Sequence, residues 1–299
     1  METLRQLFSV PLILSSLRFA TPLILAAIGG TFNERSGVIN IGLEGMMLFG
    51  AFSAVYGTFM TGNPWLGVLY AAAGGALLAL ILAVVCVSLK ADQIVVATGI
   101  NIFASGLTVY LLQIFFDSAG RSPRVPRLPA FRVLGTRYNP MTLLAVLLVP
   151  IAWYILFRTP WGLRIRSVGE HPGAADSLGI DVNKYRFICV LISGVLAGLA
   201  GAHLSIGDGA SFLSGMSEGR GFIALAAMIF GKWNPLGALG AALLFGYFEA
   251  VAIRVDILWL PSELLRSIPY VMTIIVLAGA IGRASPPASI GEPYFQEEE

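Results

Sequence analysis

Long apolar stretches separated by short polar connections occupy almost all of the 299-residue chain. Several of them approach or exceed the roughly 18 to 20 residues that an α-helix needs to cross a bilayer. The pattern predicts about eight or nine membrane-embedded segments, at 17–32, 38–60, 65–88, 93–116, 141–157, 186–206, 220–231, 236–255 and 264–282. Because 220–231 is too short to cross alone, we expect it to form a half-helix folded against a neighbour.

The composition supports an integral membrane protein. Hydrophobic residues make up 57% of the chain and charged residues 12%, about half the charged fraction of soluble domains, and the mean hydropathy is +0.81. An outer-membrane barrel would show short alternating strands instead. The sequence therefore predicts an all-α, polytopic transmembrane helical bundle. A net charge of +2 gives no reason to expect nucleic-acid binding.

We expect one transmembrane domain over residues 1–283, followed by a polar, proline-containing tail over 284–299 that is typical of disorder. The N-terminal stretch lacks a small-residue cleavage site, which favours its retention over removal as a signal peptide. Two connections are long, 117–140 and 158–185. The second is rich in Lys and Arg, which places it in the cytoplasm, and counting single crossings also places the tail there.

That count puts the loop 117–140 outside the cell, although it holds five arginines: Arg121, Arg124, Arg127, Arg132 and Arg137. This contradicts the usual bias of positive charge towards the cytoplasm. Either the count is wrong by one crossing, or these arginines have a role outside that outweighs the bias.

The loop 158–185 contains a compact polar insert, "GLRIRSVGEHPGAADSLGID", at 162–181. Pro172 suits a first helical position, and Gly179 stands where a left-handed helix end is expected. The predicted helix has about two turns and would be marginal in water alone. It must therefore pack either on the protein's own cytoplasmic face or on a partner, and the residues alone leave both open.

Three stretches resemble the permease subunits of ATP-binding cassette (ABC) importers, in the family that serves ribose-type sugars, branched-chain amino acids and nucleosides. The first is the insert "GEHPGAADSLGID", which is similar to that family's coupling helix. The matching residues are Gly169, Glu170, Pro172, Ala174, Ala175, Gly179 and Ile180, while His171 replaces the family's asparagine, a better helix cap. The others are 34–54, closer to the nucleoside-type branch, and 222–246. The resemblance spans roughly 20–282.

The resemblance implies a multi-pass subunit of a bacterial inner-membrane importer. Its expected partners are a second permease (the same or a related chain), an ABC ATPase, and an extracytoplasmic binding protein, which Arg121, Arg124 and Arg127 would dock. The expected cargo is a nucleoside, with a simple sugar or a flavin-like solute as alternatives. A different class, an ATP-independent secondary transporter or channel, would have no use for the insert at 169–180.

The nucleotide-binding loop that ATP hydrolysis requires is not recognisable in the sequence. Around Gly231–Lys232, Ala226 stands where the first glycine is needed and Trp233 where Ser or Thr is needed. We therefore expect no enzyme activity and no cofactor in this chain, with ATP and Mg²⁺ bound by the partner ATPase. The two histidines, His171 and His203, lie too far apart to indicate a metal site.

Polar residues inside the apolar segments are candidates for function, because lipid makes them costly. Asn40 and Glu44 lie four apart, on one face of any helix, and Asn101 lies nearer mid-membrane. They are predicted to line the translocation path, with Phe52 and Phe103 able to stack on a base. The alternatives are that Glu44 pairs with Arg35 or caps a neighbouring helix, that Asn101 bridges two helices, and that both Phe side chains simply pack. Gln113, His203 and Glu249 are expected to be interfacial or local partners.

Overall fold

The computed structural model describes residues 9–254, 271 and 285–295. Ten α-helices and a two-stranded hairpin follow one another along 9–254. They are α1 (Val10–Arg35), α2 (Leu43–Thr61), α3 (Pro64–Ala83), α4 (Gln93–Phe116), β1 (Phe131–Val133), β2 (Thr136–Tyr138), α5 (Pro140–Arg158), α6 (Pro160–Glu170), α7 (Pro172–Ser177), α8 (Val182–Ala202), α9 (Arg220–Phe230) and α10 (Pro235–Arg254). π-helical turns extend α3 over Val84–Ser88 and α8 over His203–Asp208.

The helical membrane architecture is confirmed. Within the described residues, seven helices are long and apolar enough to cross a membrane, and Arg220–Phe230 is a shorter apolar helix where the half-helix was predicted. The predicted segment 264–282 lies outside the described residues apart from Val271. The segment predicted at 38–60 becomes helical only from Leu43, and the long loop holds a second helix, α6, that the sequence analysis did not predict.

Capping side chains set many of the helix starts. Asn63, Asn139 and Thr159 each precede a proline and accept a hydrogen bond from a backbone N–H of the first turn, in α3, α5 and α6 respectively. Asp92 and Asp181 do the same for α4 and α8. Each cap satisfies a donor that would otherwise lack a partner at the helix start, and proline suits the next position because it has no N–H to lose.

Glycines bring α2, α3 and α8 into backbone contact. A Cβ on Gly50 would lie 2.4 Å from the Cα of Gly198, and one on Gly75 would lie 2.1 Å from the carbonyl oxygen of Gly194. Any side chain at these positions would push the helices apart. Small residues allow this packing, which stabilises helix pairs in lipid, where no hydrophobic driving force acts between them.

The two long loops lie at opposite ends of the bundle. We call the end that carries 158–185 the coupling face, and the end that carries 117–140 the opposite face. Helix α1 begins at the opposite face, where the Tyr138 hydroxyl donates to the carbonyl of Leu14 at 2.6 Å. It ends at the coupling face, where a Cβ on Gly169 would lie 2.2 Å from the carbonyl oxygen of Arg35.

Two of the crossings are part helix and part irregular chain, in which turns alternate with short extended stretches. Residues 36–42 run inward from the coupling face before α2 starts. Ile39 donates to the Gln93 side chain at the beginning of α4, and Gly45 lies beside Asn101, two turns further along the same helix. Residues 209–219 run inward from the opposite face before α9 starts. Helix α9 then leads to the coupling face, where the carbonyl of Trp233 accepts from Arg35 at 3.0 Å.

The tail differs from the predicted disorder over 285–295. Ser289 is buried, and its N–H donates to the carbonyl of Gly169 at 3.0 Å. Gly291 donates to the carbonyl of Gly37, also at 3.0 Å. The composition of the tail suggested disorder, but backbone groups at the coupling face supply partners that composition does not reveal.

The loop 117–140 also contains structure that the all-α prediction omitted. Strands β1 and β2 pair antiparallel, with Phe131 opposite Tyr138 and Val133 opposite Thr136. The two turn residues, Leu134 and Gly135, have φ of 47° and 84°, the left-handed pair that a tight hairpin requires.

Candidate functional site

The two broken crossings meet at a polar junction inside the bundle. Glu44, in the first turn of α2, accepts from the N–H of Gly219 at 2.8 Å with Oε1 and from the N–H of Gly221 at 2.7 Å with Oε2. These N–H groups belong to the start of α9, where the helix dipole favours negative charge. Glu44 therefore caps the neighbouring half-helix, one of the alternatives that the sequence left open.

Gly221 allows α9 to approach this closely. A Cβ at that position would lie 2.5 Å from both the N and the Cα of Glu44. Backbone atoms cannot rotate away as a flexible side chain can, so any larger residue at 221 must separate α9 from α2.

Asn101 holds the other side of the junction. Its Oδ1 accepts from the N–H of Gly45 at 2.8 Å, and its Nδ2 donates to the carbonyl of Ile41 at 3.1 Å. Asn101 lies eight residues into α4, about 12 Å from the helix start at 1.5 Å per residue. It supplies partners to backbone groups in the break and in the first turn of α2, which lipid could not satisfy.

Asn40 joins the same break to α8. Its Nδ2 donates to the Ser193 hydroxyl at 3.0 Å, while its Oδ1 is buried and has no hydrogen-bond partner among the described residues. Thus Asn40, Glu44 and Asn101 come together around the break between α1 and α2, and the polar contacts described here are with the protein itself. That they line a solute path remains a prediction.

An ion pair fixes α9 to α10 at the same level. Arg220, the first residue of α9, contacts the Glu249 carboxylate, with 16% and 13% of the two side chains exposed. The guanidinium also donates to the carbonyls of Met216 and Ser217 at 3.2 and 3.3 Å. Glu249 is thus the local partner that the sequence predicted. Arg220, at the start of the half-helix α9, was not among the candidates that the sequence analysis identified.

The two candidate aromatic residues are not brought together. Phe52 is 3% exposed and packs edge-on against Phe212, with 5.6 Å between ring centroids, so it is not free to stack on a solute in this arrangement. Phe103 is 52% exposed on α4. Contact of either ring with a solute remains a prediction.

A second polar cluster lies at the opposite face. The buried His203 is 3.2 Å from the Asn139 side chain through Nδ1, and its Nε2 is 3.4 Å from the Asp208 carboxylate. Asp208 also accepts from Arg18 at 2.8 Å. This cluster joins α1 and the π-helical extension of α8 to the start of α5, in agreement with a local role for His203.

Helix α7 has the ends that the sequence predicted. Pro172 occupies its first turn, and the His171 side chain makes no capping hydrogen bond. Gly179 adopts φ of 78° and donates to the carbonyl of Asp176 at 2.7 Å, while Ile180 donates to the carbonyl of Ala175 at 3.1 Å. The loop 158–185 is therefore an ordered platform.

The residues of this platform divide into an inner and an outer set. Ala175 is 2% exposed and packs with Val168 and Val182, so its small size is explained within this chain. Gly169 is buried against α1, whereas Leu178 is 81% exposed. The exposed members of the predicted coupling motif are Glu170, His171, Ala174 and Gly179, with Pro172 and Ile180 half-buried.

The loop 117–140 presents its arginines in a regular row. From Arg121 to Pro129 every third residue is buried, namely Ser122, Val125 and Leu128. Their N–H groups donate to the carbonyls of Phe212, Ala210 and Ile206 at 3.0, 2.7 and 2.9 Å. A repeat of three is that of a polyproline II helix, and it leaves Arg121, Arg124 and Arg127 exposed. The segment 121–129 thus lies against the π-helical end of α8 and the first part of the connection to α9.

Comparison with known proteins identifies the family. The family described as "Branched-chain amino acid transport system / permease component" matches residues 12–277. The chain belongs to this permease family. It is 44% identical to the guanosine ABC transporter permease protein NupQ of Bacillus subtilis, over 94% of this chain and 95% of that protein. It is also 44% identical to the nucleoside ABC transporter permease protein NupC of Lactococcus lactis, over 95% and 96%.

A solved structure agrees with the fold. An inward-facing protein described as a metal-chelate type ABC transporter aligns with a TM-score of 0.52, covering 92% of this chain and 88% of that one at 18% identity. A third relative, TsgC13 of Haloferax volcanii, described as a glucose ABC transporter permease, is 34% identical over 97% of this chain and 99% of its own length. The family match and the two bacterial relatives, together with the apolar helices, establish a multi-pass permease subunit of a bacterial inner membrane.

Proposed function

We propose that this permease subunit carries nucleosides across the inner membrane as part of an ATP-driven importer. The observation that carries the proposal is the 44% identity, along more than nine-tenths of each chain, to two permeases named for guanosine and nucleosides. The relative described as a glucose permease is 34% identical, which makes a simple sugar the second candidate cargo and a flavin-like solute a third.

The polar junction is the proposed gate of the translocation path. Its support is geometric, since two crossings are interrupted at the same depth and α9 starts there at the Glu44 carboxylate. Broken helices in transporters expose polar backbone beside a cavity. Separation of α9 from Glu44 would free two N–H groups and a carboxylate within the bundle, and a polar solute is able to pair with such groups.

The outer surface of α7 is the proposed docking site for the ATPase subunit, which would bind ATP and Mg²⁺. Ala174 on α7 and Leu178 directly after it are exposed there, while Ala175 anchors the helix to its own chain. An exposed leucine beside small residues suits insertion into an apolar groove. A secondary transporter or channel would not need such a surface. Co-purification of an ATPase subunit with this chain separates the two classes.

The arginine row is the proposed contact for an extracytoplasmic binding protein. In a polyproline II helix the three guanidinium groups recur about every 9 Å, at 3.1 Å per residue, on a segment stiffened by prolines 123, 126 and 129. Arginine grips carboxylates with paired hydrogen bonds, and a stiff segment loses little entropy on docking. Arg121 also donates to the Ser211 hydroxyl at 3.2 Å, so Arg124 and Arg127 should contribute more.

Docking through exposed charges would act mainly on the association rate and fall with salt. The test compares binding-protein association with the permease complex in nanodiscs, for wild type and for Arg121, Arg124 and Arg127 all changed to Gln. We expect slower association of the variant at low salt and convergence at high salt. Equal rates at low salt, or labelling of a cysteine at position 124 only from the cytoplasm, would exclude this contact.

A second permease subunit, the same or a related chain, is the remaining proposed partner. Helix α4 exposes a large apolar surface that includes Val95, Ile102 and Tyr110, which lipid or such a subunit would cover. The cargo itself is tested most simply by ligand binding to the proposed extracytoplasmic binding protein. Binding of nucleosides in preference to free ribose or flavin supports the proposal, and preference for a sugar contradicts it.

A further inference from the structure

The segment 285–295 forms a strap across the coupling face; we call residues 287–294 the C-terminal strap. At one end the carbonyl of Gly169 accepts from both the N–H and the hydroxyl of Ser289, at 3.0 and 2.7 Å. The Glu170 carboxylate accepts from the N–H of Ala288 at 3.2 Å. These contacts hold the residues that lead directly into α7.

At its other end the strap contacts α7 itself. The Tyr294 hydroxyl donates to the Asp176 carboxylate at 2.9 Å. The Tyr294 ring packs against the cluster of Val168, Ala175 and Val182. Helix α7 has only six residues, too few to be stable alone, so its position depends on such contacts.

Arg186 joins the strap to the rest of the bundle. It is 2% exposed, and its guanidinium donates to the carbonyl of Glu292 at 2.8 Å and to the carbonyl of Ser36 at 3.2 Å. Without the strap, one nitrogen of a buried cation would lose its carbonyl partner. Leaving such a donor unsatisfied is costly, so Arg186 favours the strap in the position that the structure shows.

The same strap reaches the start of the broken crossing. Gly291 donates to the carbonyl of Gly37, at 3.0 Å, and a Cβ on Gly37 would lie 2.9 Å from the Arg186 guanidinium. The strap therefore holds α7 and the turn that begins 36–42 in one fixed arrangement.

We propose that the C-terminal strap positions α7 for coupling, with Tyr294 and Arg186 as positioning residues. The inference rests on the proposed function, because it assumes that α7 docks the ATPase. The strap transmits force between α7 and the turn at Gly37. Displacement of α7 by the ATPase thereby reaches residues 36–42, which lead from the coupling face to the polar junction.

The experiment uses the full transporter complex in nanodiscs. One variant ends at residue 284 and lacks the strap, a matched control ends at 295 and keeps it, and Tyr294→Phe removes only the hydroxyl that Asp176 accepts. Amide hydrogen exchange over 175–180 reports the order of α7, and the ratio of binding-protein-stimulated to basal ATP hydrolysis reports coupling. If the shortest variant fails to assemble, Tyr294→Phe still provides the test.

We expect faster exchange over 175–180, by about tenfold for Tyr294→Phe because one hydrogen bond to a carboxylate is lost, and a lower stimulation ratio in both variants than in the control. Unchanged exchange in Tyr294→Phe would overturn the strap inference and leave the proposed function intact. Faster exchange with an unchanged stimulation ratio would instead contradict the coupling role of α7 and, with it, the positioning role of the strap.

Discussion

Replacing Gly221 by alanine would place a methyl group against the backbone of α2. The added Cβ would lie 2.5 Å from Glu44 N and Cα, where ordinary van der Waals contact begins at 3.4 Å. Helix α9 must therefore shift by about 1 Å, and overpacking of this kind costs about 1 to 3 kcal/mol. The shift also lengthens the two hydrogen bonds that Glu44 accepts.

The assay is thermal unfolding of the purified permease in detergent, with Gly106→Ala as the matched control. Gly106 lies within α4 and has no atom within 4 Å of an added Cβ, so alanine there should be neutral or gain up to about 1 kcal/mol in helix propensity. We expect Gly221→Ala to unfold at the lower temperature. If it unfolds at or above the temperature of Gly106→Ala, the close contact between α9 and α2 is not a constraint.

Three further predictions concern the same sites. Asn101→Leu leaves the Gly45 N–H and the Ile41 carbonyl without a partner and should destabilise the permease by about 2 kcal/mol in the same unfolding assay. Normal stability would contradict the role of Asn101 in joining α4 to the start of α2. Glu249→Gln should cost about 3 kcal/mol because Arg220 is mostly buried, whereas Glu218→Gln, at a 68% exposed side chain, should cost almost nothing. Ala174→Arg should leave the fold intact and abolish ATPase co-purification, while Ala175→Arg should destabilise the loop itself. Normal ATPase co-purification with Ala174→Arg would place the docking surface elsewhere.

Most of the helices could be predicted because length and apolarity alone specify a membrane helix. The ends of α7 could also be predicted, since Pro172 and Gly179 carry conformational preferences that do not depend on distant residues. The glycines within 36–42 indicate an interrupted helix start, but the position where α2 begins could not be predicted, because the apolar residues between them fit a helix as well as extended chain. The backbone of this segment is satisfied by Gln93 and Asn101, more than 50 positions away.

Glu44 was recognised as a candidate by its charge, but its contact with the start of α9 depends on a fold that brings residues 175 positions apart together. The strap was mistaken for disorder for a related reason. Its composition is polar, and its anchors include carbonyls at Gly37 and Gly169 that sequence composition cannot indicate. Backbone hydrogen-bonding groups at distant positions, N–H donors for Glu44 and carbonyl acceptors for the strap, thus account for both differences.

The most direct test of the account is uptake of labelled guanosine by proteoliposomes that contain this permease with its ATPase and binding protein. We expect guanosine accumulation to require ATP on the side of the membrane that carries the ATPase and the binding protein on the opposite side. Unlabelled nucleosides should suppress this uptake, while ribose and riboflavin should not. Guanosine uptake that proceeds equally without ATP, or uptake that only ribose or riboflavin suppresses, would contradict the claim that this is the permease of an ATP-driven nucleoside importer.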